Sequence, residues 1–146
     1  MSTRLRTPLE WREQEALITW AALHTAQEPR LKLMYAIPNG EKRDKSTAAK
    51  LMKMGVRPHV PDLHLPVAAR HYYDDPDGSE RWWSFHGLWI EMKRVDAYGA
   101  TIDQQAYHEL LRYHGHYVAT CHGWVAAVQK LCWYLKREEL AYGLQA

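Results

Sequence analysis

Phe85-His86-Gly87-Leu88-Trp89-Ile90-Glu91-Met92-Lys93 is the run that decides how this chain is read. It has the apolar and aromatic content of a strand, and strand side chains alternate between faces. Leu88, Ile90 and Met92 therefore share one face, while Trp89, Glu91 and Lys93 share the other. Upstream, Pro61-Asp62 opens a second apolar segment, Asp62 to Val67, able to lie beside the first. Together they offer two carboxylates for a hard divalent cation and an amine to steer a nucleophilic water, the donor set of a metal-dependent phosphodiesterase. A bare Glu-x-Lys has a plainer reading, a solvated strand face with a cross-strand ion pair. Asp62 has one too, an acid in the turn that starts a strand. The neighbouring sequence decides between them.

Working outward, Thr7-Pro8-Leu9-Glu10 reads as a helix start, with a threonine N-cap, proline at the first position and glutamate at the third. The helix is predicted to run to about Ala26, before Glu28-Pro29. Leu31 to Ile37 has the content of a first strand, broken by Pro38-Asn39-Gly40. Asp44 caps a predicted helix ending at Gly55. Ala69 to Trp83 carries Asp74-Asp75-Pro76-Asp77-Gly78, a strong turn signal that predicts an exposed hairpin or loop. After the Phe85–Lys93 strand, Thr101-Ile102-Asp103-Gln104 opens a helix that closes at Gly115. Tyr117 to Cys121 reads as a fourth strand. Val128, Leu131, Cys132 and Leu135 then recur at helical spacing from Trp124 onward. The pattern predicts an α/β fold, a mixed sheet flanked by helices. The chain carries no internal repeat, low-complexity segment or interdomain linker, so residues 1–146 read as a single domain.

Taken in order, Ile37-Pro38-Asn39-Gly40, Arg43, Gly55-Val56, Pro61-Asp62, Ile90-Glu91-Met92-Lys93-Arg94, Gln104, Gly115 and Cys121-His122-Gly123 resemble the VRR-NUC (virus-type replication-repair nuclease) family of the PD-(D/E)xK nuclease superfamily. The resemblance runs from about Glu10 to about Leu135. It implies a restriction-endonuclease-like αβββαβ core with one extra helix after the first strand, and a Mg²⁺- or Mn²⁺-dependent DNA endonuclease. Asp62, Glu91, the Met92 carbonyl and Glu10 would then hold the metal, with Lys93 assisting the attacking water and Gln104 close to it. A small chain of this kind resembles phage or prophage nucleases of replication and repair. That implies a cytoplasmic setting in a bacterial or phage-infected cell and selectivity for branched DNA such as four-way junctions. Symmetric junction cutting requires two active sites and hence a homodimer. Linear or nicked duplex cleavage, or structure-specific binding without cutting, are the alternatives.

Two of these residues keep two readings. Glu10 shares a helical stripe with Gln14, Leu17 and Ala21, which aims it into a pocket, yet it also fits a capping box with Thr7. Gln104 is placed to meet the site and also to cap its helix with Thr101. Asn39, Gly40 and Arg43 stand where the resembled family has its Asn-Gly and following arginine, and the resemblance implies DNA contact there through close backbone approach and a phosphate-gripping arginine; an ordinary turn followed by a solvated charge is the plainer reading. Lys42, Lys45 and Lys50 belong to the densest basic stretch of the chain and are predicted DNA contacts with them. Glu41 stands where many relatives of the family have a second glycine. A solvated helix face is the alternative for the lysines. The Ala69–Trp83 stretch, rich in tyrosine, tryptophan and arginine, either stacks on distorted DNA, pads the core or contacts a second copy.

Composition sets the outer limits. The net charge of +2 is mildly basic, so any nucleic-acid binding has to come from local patches. Two cysteines do not make a disulfide framework, and buried reduced thiols are expected. No apolar stretch is long enough to cross a membrane, and no charged-then-apolar signal stands at the amino terminus. Neither a membrane partner nor a small-molecule cofactor is expected. The nine histidines fit no familiar zinc spacing with the cysteines, although His59 and His64 flank Asp62.

Overall fold

A computed structural model of the chain describes residues 7–38 and 44–145. Helix α1 (Glu10–His24) comes first, followed by a 3₁₀ turn (Pro29–Leu33) and a two-residue strand β1 (Tyr35–Ala36). Helix α2 (Lys45–Lys53) and strand β2 (Leu63–Leu65) follow, then the hairpin β3 (Ala69–Asp74) and β4 (Glu80–Phe85). Strand β5 (Leu88–Lys93), helix α3 (Ile102–Tyr113), strand β6 (Tyr117–His122), helix α4 (Trp124–Leu135) and a last 3₁₀ turn (Glu138–Ala141) complete the chain.

The main sheet has the order β1-β2-β5-β6, and β3-β4 form a separate ribbon. β1 and β2 pair antiparallel, as do β2 and β5, whereas β5 and β6 are parallel and joined through α3. The sheet is therefore mixed, as the order of elements predicted.

Alternation along β5 sets the two faces. Leu63 lies opposite Ile90 and Leu65 opposite Leu88, and these side chains are buried with Met92, Ala119 and Cys121. Against them pack Leu17, Trp20 and Ala21 of α1 and Val128, Leu131, Cys132 and Leu135 of α4. This is the hydrophobic core. Each fully buried leucine there contributes about 1.5–3 kcal/mol through removal from water. Helix α3 covers the other face.

Several boundaries differ from the sequence expectation. Leu31 to Leu33 lie in a 3₁₀ turn and not in a strand, because Pro29 sits in its first turn and the Glu28 carboxylate accepts the Arg30 N–H at 3.1 Å. Only Tyr35 and Ala36 pair with β2, and the Ile37 N–H continues the contact to the Asp62 carbonyl at 2.8 Å. Thr7 does not cap α1: its N-cap is Leu9, with no side-chain cap, and Thr7 hydrogen-bonds Asp96 instead. The buried stripe of α1 is Glu13, Leu17, Trp20 and Ala21, rotated from the expected one. The expected Phe85–Lys93 strand is interrupted at His86-Gly87, where the chain leaves the ribbon for the sheet.

Other signals hold. Asp44 caps α2, its carboxylate accepting the Thr47 N–H at 2.8 Å. Gly55, at φ +103°, ends the helix in a Schellman arrangement, with Val56 N–H to Leu51 C=O and Gly55 N–H to Met52 C=O. The Asp74–Gly78 turn closes a true hairpin. One face of it pads the core, with His71 stacked on Trp133 at 4.0 Å, while Tyr72 and Trp82 remain exposed.

Candidate active site

The carboxylate of Asp62 lies just before β2, where the register of that strand, extended by one residue, sets it opposite Glu91. Its Oδ2 accepts the Met92 N–H at 2.7 Å, which fixes it against the end of β5. In an antiparallel pair the amide and carbonyl of one residue leave the strand on the same side. The Met92 carbonyl is thus directed toward Asp62 as well.

Glu91 is 2% exposed, and its oxygens are held from three directions. Gln104 Nε2 donates to Oε1 at 2.8 Å, Lys93 Nζ lies 3.5 Å from the same oxygen, and His108 Nε2 lies 3.4 Å from Oε2. Lys93 Nζ also donates to Gln104 Oε1 at 3.1 Å. Gln104 and His108 are one helical turn apart on α3, so a single helix face meets Glu91 and Lys93.

The two readings of Gln104 turn out to be one arrangement. Its Oε1 accepts the Thr101 N–H at 2.9 Å while Thr101 Oγ1 accepts the Gln104 N–H at 3.2 Å, a complete capping box. The same amide bridges Lys93 and Glu91. The cap of α3 and the orientation of the Glu-x-Lys strand are consequently coupled.

Glu10 stands in the first turn of α1 at the mouth of a cleft of about 710 Å³ that it lines with Trp11, Gln14, Ile18, Ile37 and Asp62. With Thr7 no longer its cap, only the cleft-facing reading remains. Its carboxyl is pushed above the ordinary value by partial desolvation, with Lys93 opposing and Glu91 adding to the rise. The Asp62 carboxyl is pushed up to about 7, first by burial and then by Glu91, against which the Met92 hydrogen bond works. Carboxylates thus crowd this corner, with Lys93 as the nearby cation.

Such crowding suits a divalent cation. Among the described residues, no three histidine, cysteine, aspartate or glutamate side chains form a ready metal cage. Mg²⁺ does not need one, since it binds through one or two carboxylates together with waters and substrate phosphate oxygens. Asp62 and Glu91 match that demand.

The predicted DNA contacts divide. Asn39, Gly40, Lys42 and Arg43 lie outside the described residues. Lys45 and Lys50 are on α2, which buries none of its residues and carries no acid within the helix. Of the histidines beside Asp62, His64 is taken up by aromatic neighbours. It stacks on Trp89 at 3.9 Å, and its Nδ1 pairs with the Tyr35 hydroxyl at 2.8 Å. Burial, then His116, push its imidazole down to about 4.

Two residues escaped the sequence reading. His108 was visible one turn beyond Gln104 but carried no role. Glu13 is buried, and its Oε2 accepts the Trp124 N–H at 2.8 Å, capping α4 from another helix. Gly123 holds this turn at φ +89°, where a side chain would be strained and its Cβ would lie 2.8 Å from Val95 Cγ2. The signal for Glu13 was its position in line with Leu17 and Trp20 on an otherwise apolar stripe.

The fold is shared with a solved structure. It superposes on a VRR_NUC domain protein with a TM-score of 0.66, covering 90% of this chain and 92% of the other at 23% sequence identity. The chain folds like a VRR_NUC domain. No family model matches its sequence, and no curated protein matches it. The VRR_NUC-type fold is thus supported by shape, and the chemistry has to be argued from the side chains.

Proposed function

We propose that this protein is a Mg²⁺- or Mn²⁺-dependent endonuclease that hydrolyses phosphodiester bonds in DNA. The observation that carries the reading is the meeting of Asp62 and Glu91-x-Lys93 across β2 and β5, clamped by Gln104 from α3. The VRR_NUC-type fold supports it independently. Asp62 and Glu91 would hold the cation together with the Met92 carbonyl, and Glu10 would add a carboxylate from α1; a cation bound there would supply polarisation of the scissile phosphate and a lowered pKa for bound water. Lys93, fixed by Gln104, directs a water toward phosphorus and offsets charge that develops there. His108 and Gln104 restrict the rotamer of Glu91, so the donor set is oriented before substrate arrives.

The basic face of α2 suits phosphate contacts, with Lys45 and Lys50 joined in sequence to Lys42 and Arg43. Branched DNA such as a four-way junction is the preferred substrate in this reading, cut by a homodimer that presents two sites.

The test is cleavage of labelled four-way and linear DNA by wild type and Asp62→Ala in Mg²⁺, Mn²⁺ and EDTA. Metal-dependent cutting of the junction, absent in Asp62→Ala, is the expected result. Equal cutting of both substrates removes the junction preference. Binding of DNA without cutting in either metal replaces the nuclease with a DNA-binding module.

A further inference from the structure

The cleft beside Asp62 is more than an approach to the carboxylates. It follows α1 from Glu10 to Ile18, roughly 12 Å at 1.5 Å per residue, and is closed on the other side by Ile37 near the edge strand β1. Glu10, Glu15 and Asp62 supply its acidic groups, Glu15 being tied to Arg12, and Ile18 and Ile37 supply aliphatic surface. Its volume of about 710 Å³ lies in the range of small-molecule sites.

Two side chains along the cleft have no structural employment. Trp11 is 55% exposed, a large aromatic left in water at the side of the carboxylates. It is nonetheless braced: the Arg12 guanidinium lies 4.2 Å from its ring centroid, and Arg12 Nη1 is tied to Glu15 Oε2 at 3.2 Å. Gln14 is half-buried in the cleft, and its amide makes no hydrogen bond with the described residues. The amide stays open to solvent, so a ligand edge of matching polarity would replace water there. A braced aromatic plate, a free amide with one donor and one acceptor group, and aliphatic walls are the parts that hold a flat heterocycle with a polar edge.

From these features we infer that the cleft receives an unpaired nucleobase of the strand being cut, stacked on Trp11 and hydrogen-bonded by Gln14. This rests on the nuclease reading and specifies its substrate: DNA with an unpaired nucleotide next to the scissile phosphate. A paired base lies within its helical stack and does not reach a cleft walled by α1 and β1. The pocket thereby supplies a physical reason for a preference for branched over linear DNA. Stacking on tryptophan is tolerant of base identity, so the selectivity is for the unpaired state.

The experiment uses flap DNA and its fully paired counterpart, with binding read by fluorescence anisotropy in Mg²⁺ on the Asp62→Asn protein. Trp11→Ala and Trp11→Phe are added to that background, and the flap is made with a normal or an abasic nucleotide at each of its first unpaired positions. Trp11→Ala is expected to weaken flap binding roughly 5- to 100-fold while leaving the paired duplex unchanged, and Trp11→Phe to retain most of the affinity. One abasic position should reproduce the Trp11→Ala loss, with no further loss when the two are combined. Equal losses on both DNAs, additive losses, or none would overturn the inference. Parallel cleavage assays with a wild-type Asp62 separate the two levels. Cutting that is indifferent to Trp11 sinks the base pocket alone, whereas failure to bind or cut any DNA removes the nuclease reading and the pocket with it.

Discussion

Leu88, Ile90 and Met92 on one face of β5 are packed dry between α1 and α4, whereas Glu91 and Lys93 on the other are held by Gln104 and His108 of α3. Both faces are built from the same six residues, and both are largely removed from solvent. The difference lies in what each does with burial. On the α1/α4 face, burial releases water from apolar surface and stabilises the fold. On the α3 face, burial costs desolvation of charged groups, repaid in part by hydrogen bonds that fix them in one orientation. A buried polar cluster draws on stability generated elsewhere, and here the two halves of that exchange lie back to back on one strand.

The comparison breaks first at Glu91. Glu91→Gln keeps the shape and the α3 contacts but removes the charge proposed to bind the cation. We expect DNA cleavage to fall by about 10³-fold or more, with the melting temperature held or raised. A matched loss of stability would mean that Glu91 is a structural group.

Leu131→Ala on α4 is the converse substitution. It removes a fully buried side chain from the dry face, and should destabilise the protein by about 2–5 kcal/mol in urea unfolding. Cleavage per folded molecule should be unchanged, since Leu131 touches none of the polar network. A fall in specific activity without unfolding would show that the faces are mechanically coupled.

How far this division was legible in the sequence follows from the same alternation. Period-two patterning at Leu88–Lys93 named both faces, because a strand with hydrophobics at every second position leaves little choice. Asp62, Glu91, Lys93 and Gln104 came from the ordered motifs, and the structure brings them together. The first strand did not read correctly: the apolar run Leu31–Ile37 looks extended, while Pro29 and the Glu28–Arg30 pair impose a 3₁₀ turn that composition does not reveal. The capping box at Thr7 failed for a related reason. Its spacing was right, but Asp96, far along the chain, takes up the threonine. Glu13 was missed because its partner, the Trp124 amide, is on another helix. Local signals sufficed where the partner is local, and failed where tertiary contact chose otherwise.

A finer separation is available at the start of α3, where Gln104 serves both the cap and the site. Thr101→Ala removes a cap and leaves Gln104 able to meet Glu91. A loss of about 1 kcal/mol in stability is expected, with cleavage close to wild type. Gln104→Ala removes both functions, and should add a roughly 10- to 100-fold loss in cleavage rate, characteristic of groups that orient a ligand. If the two variants lose activity equally, the position of the helix and not the amide is what matters.

The pH dependence of stability at Asp62 gives the most direct view of what the polar face costs. Its carboxyl is raised to about 7, from an ordinary value near 3.8, with burial as the first cause and Glu91 as the next. Between those values the folded protein binds a proton that the unfolded chain has released, so stability should fall as pH rises from about 4 to about 7 and then level off. Asp62→Asn should flatten that slope and stabilise the protein by about 1 kcal/mol at pH 8 in the absence of divalent cations. Thermal melts across pH, with and without Mg²⁺, check both points. Mg²⁺ should offset the destabilisation in wild type above pH 7, because it favours the ionised carboxyl, and should do much less in Asp62→Asn. A slope that survives Asp62→Asn, or a Mg²⁺ response indifferent to it, would place the cost of the polar face on groups other than Asp62 and leave the proposed cation without its first ligand.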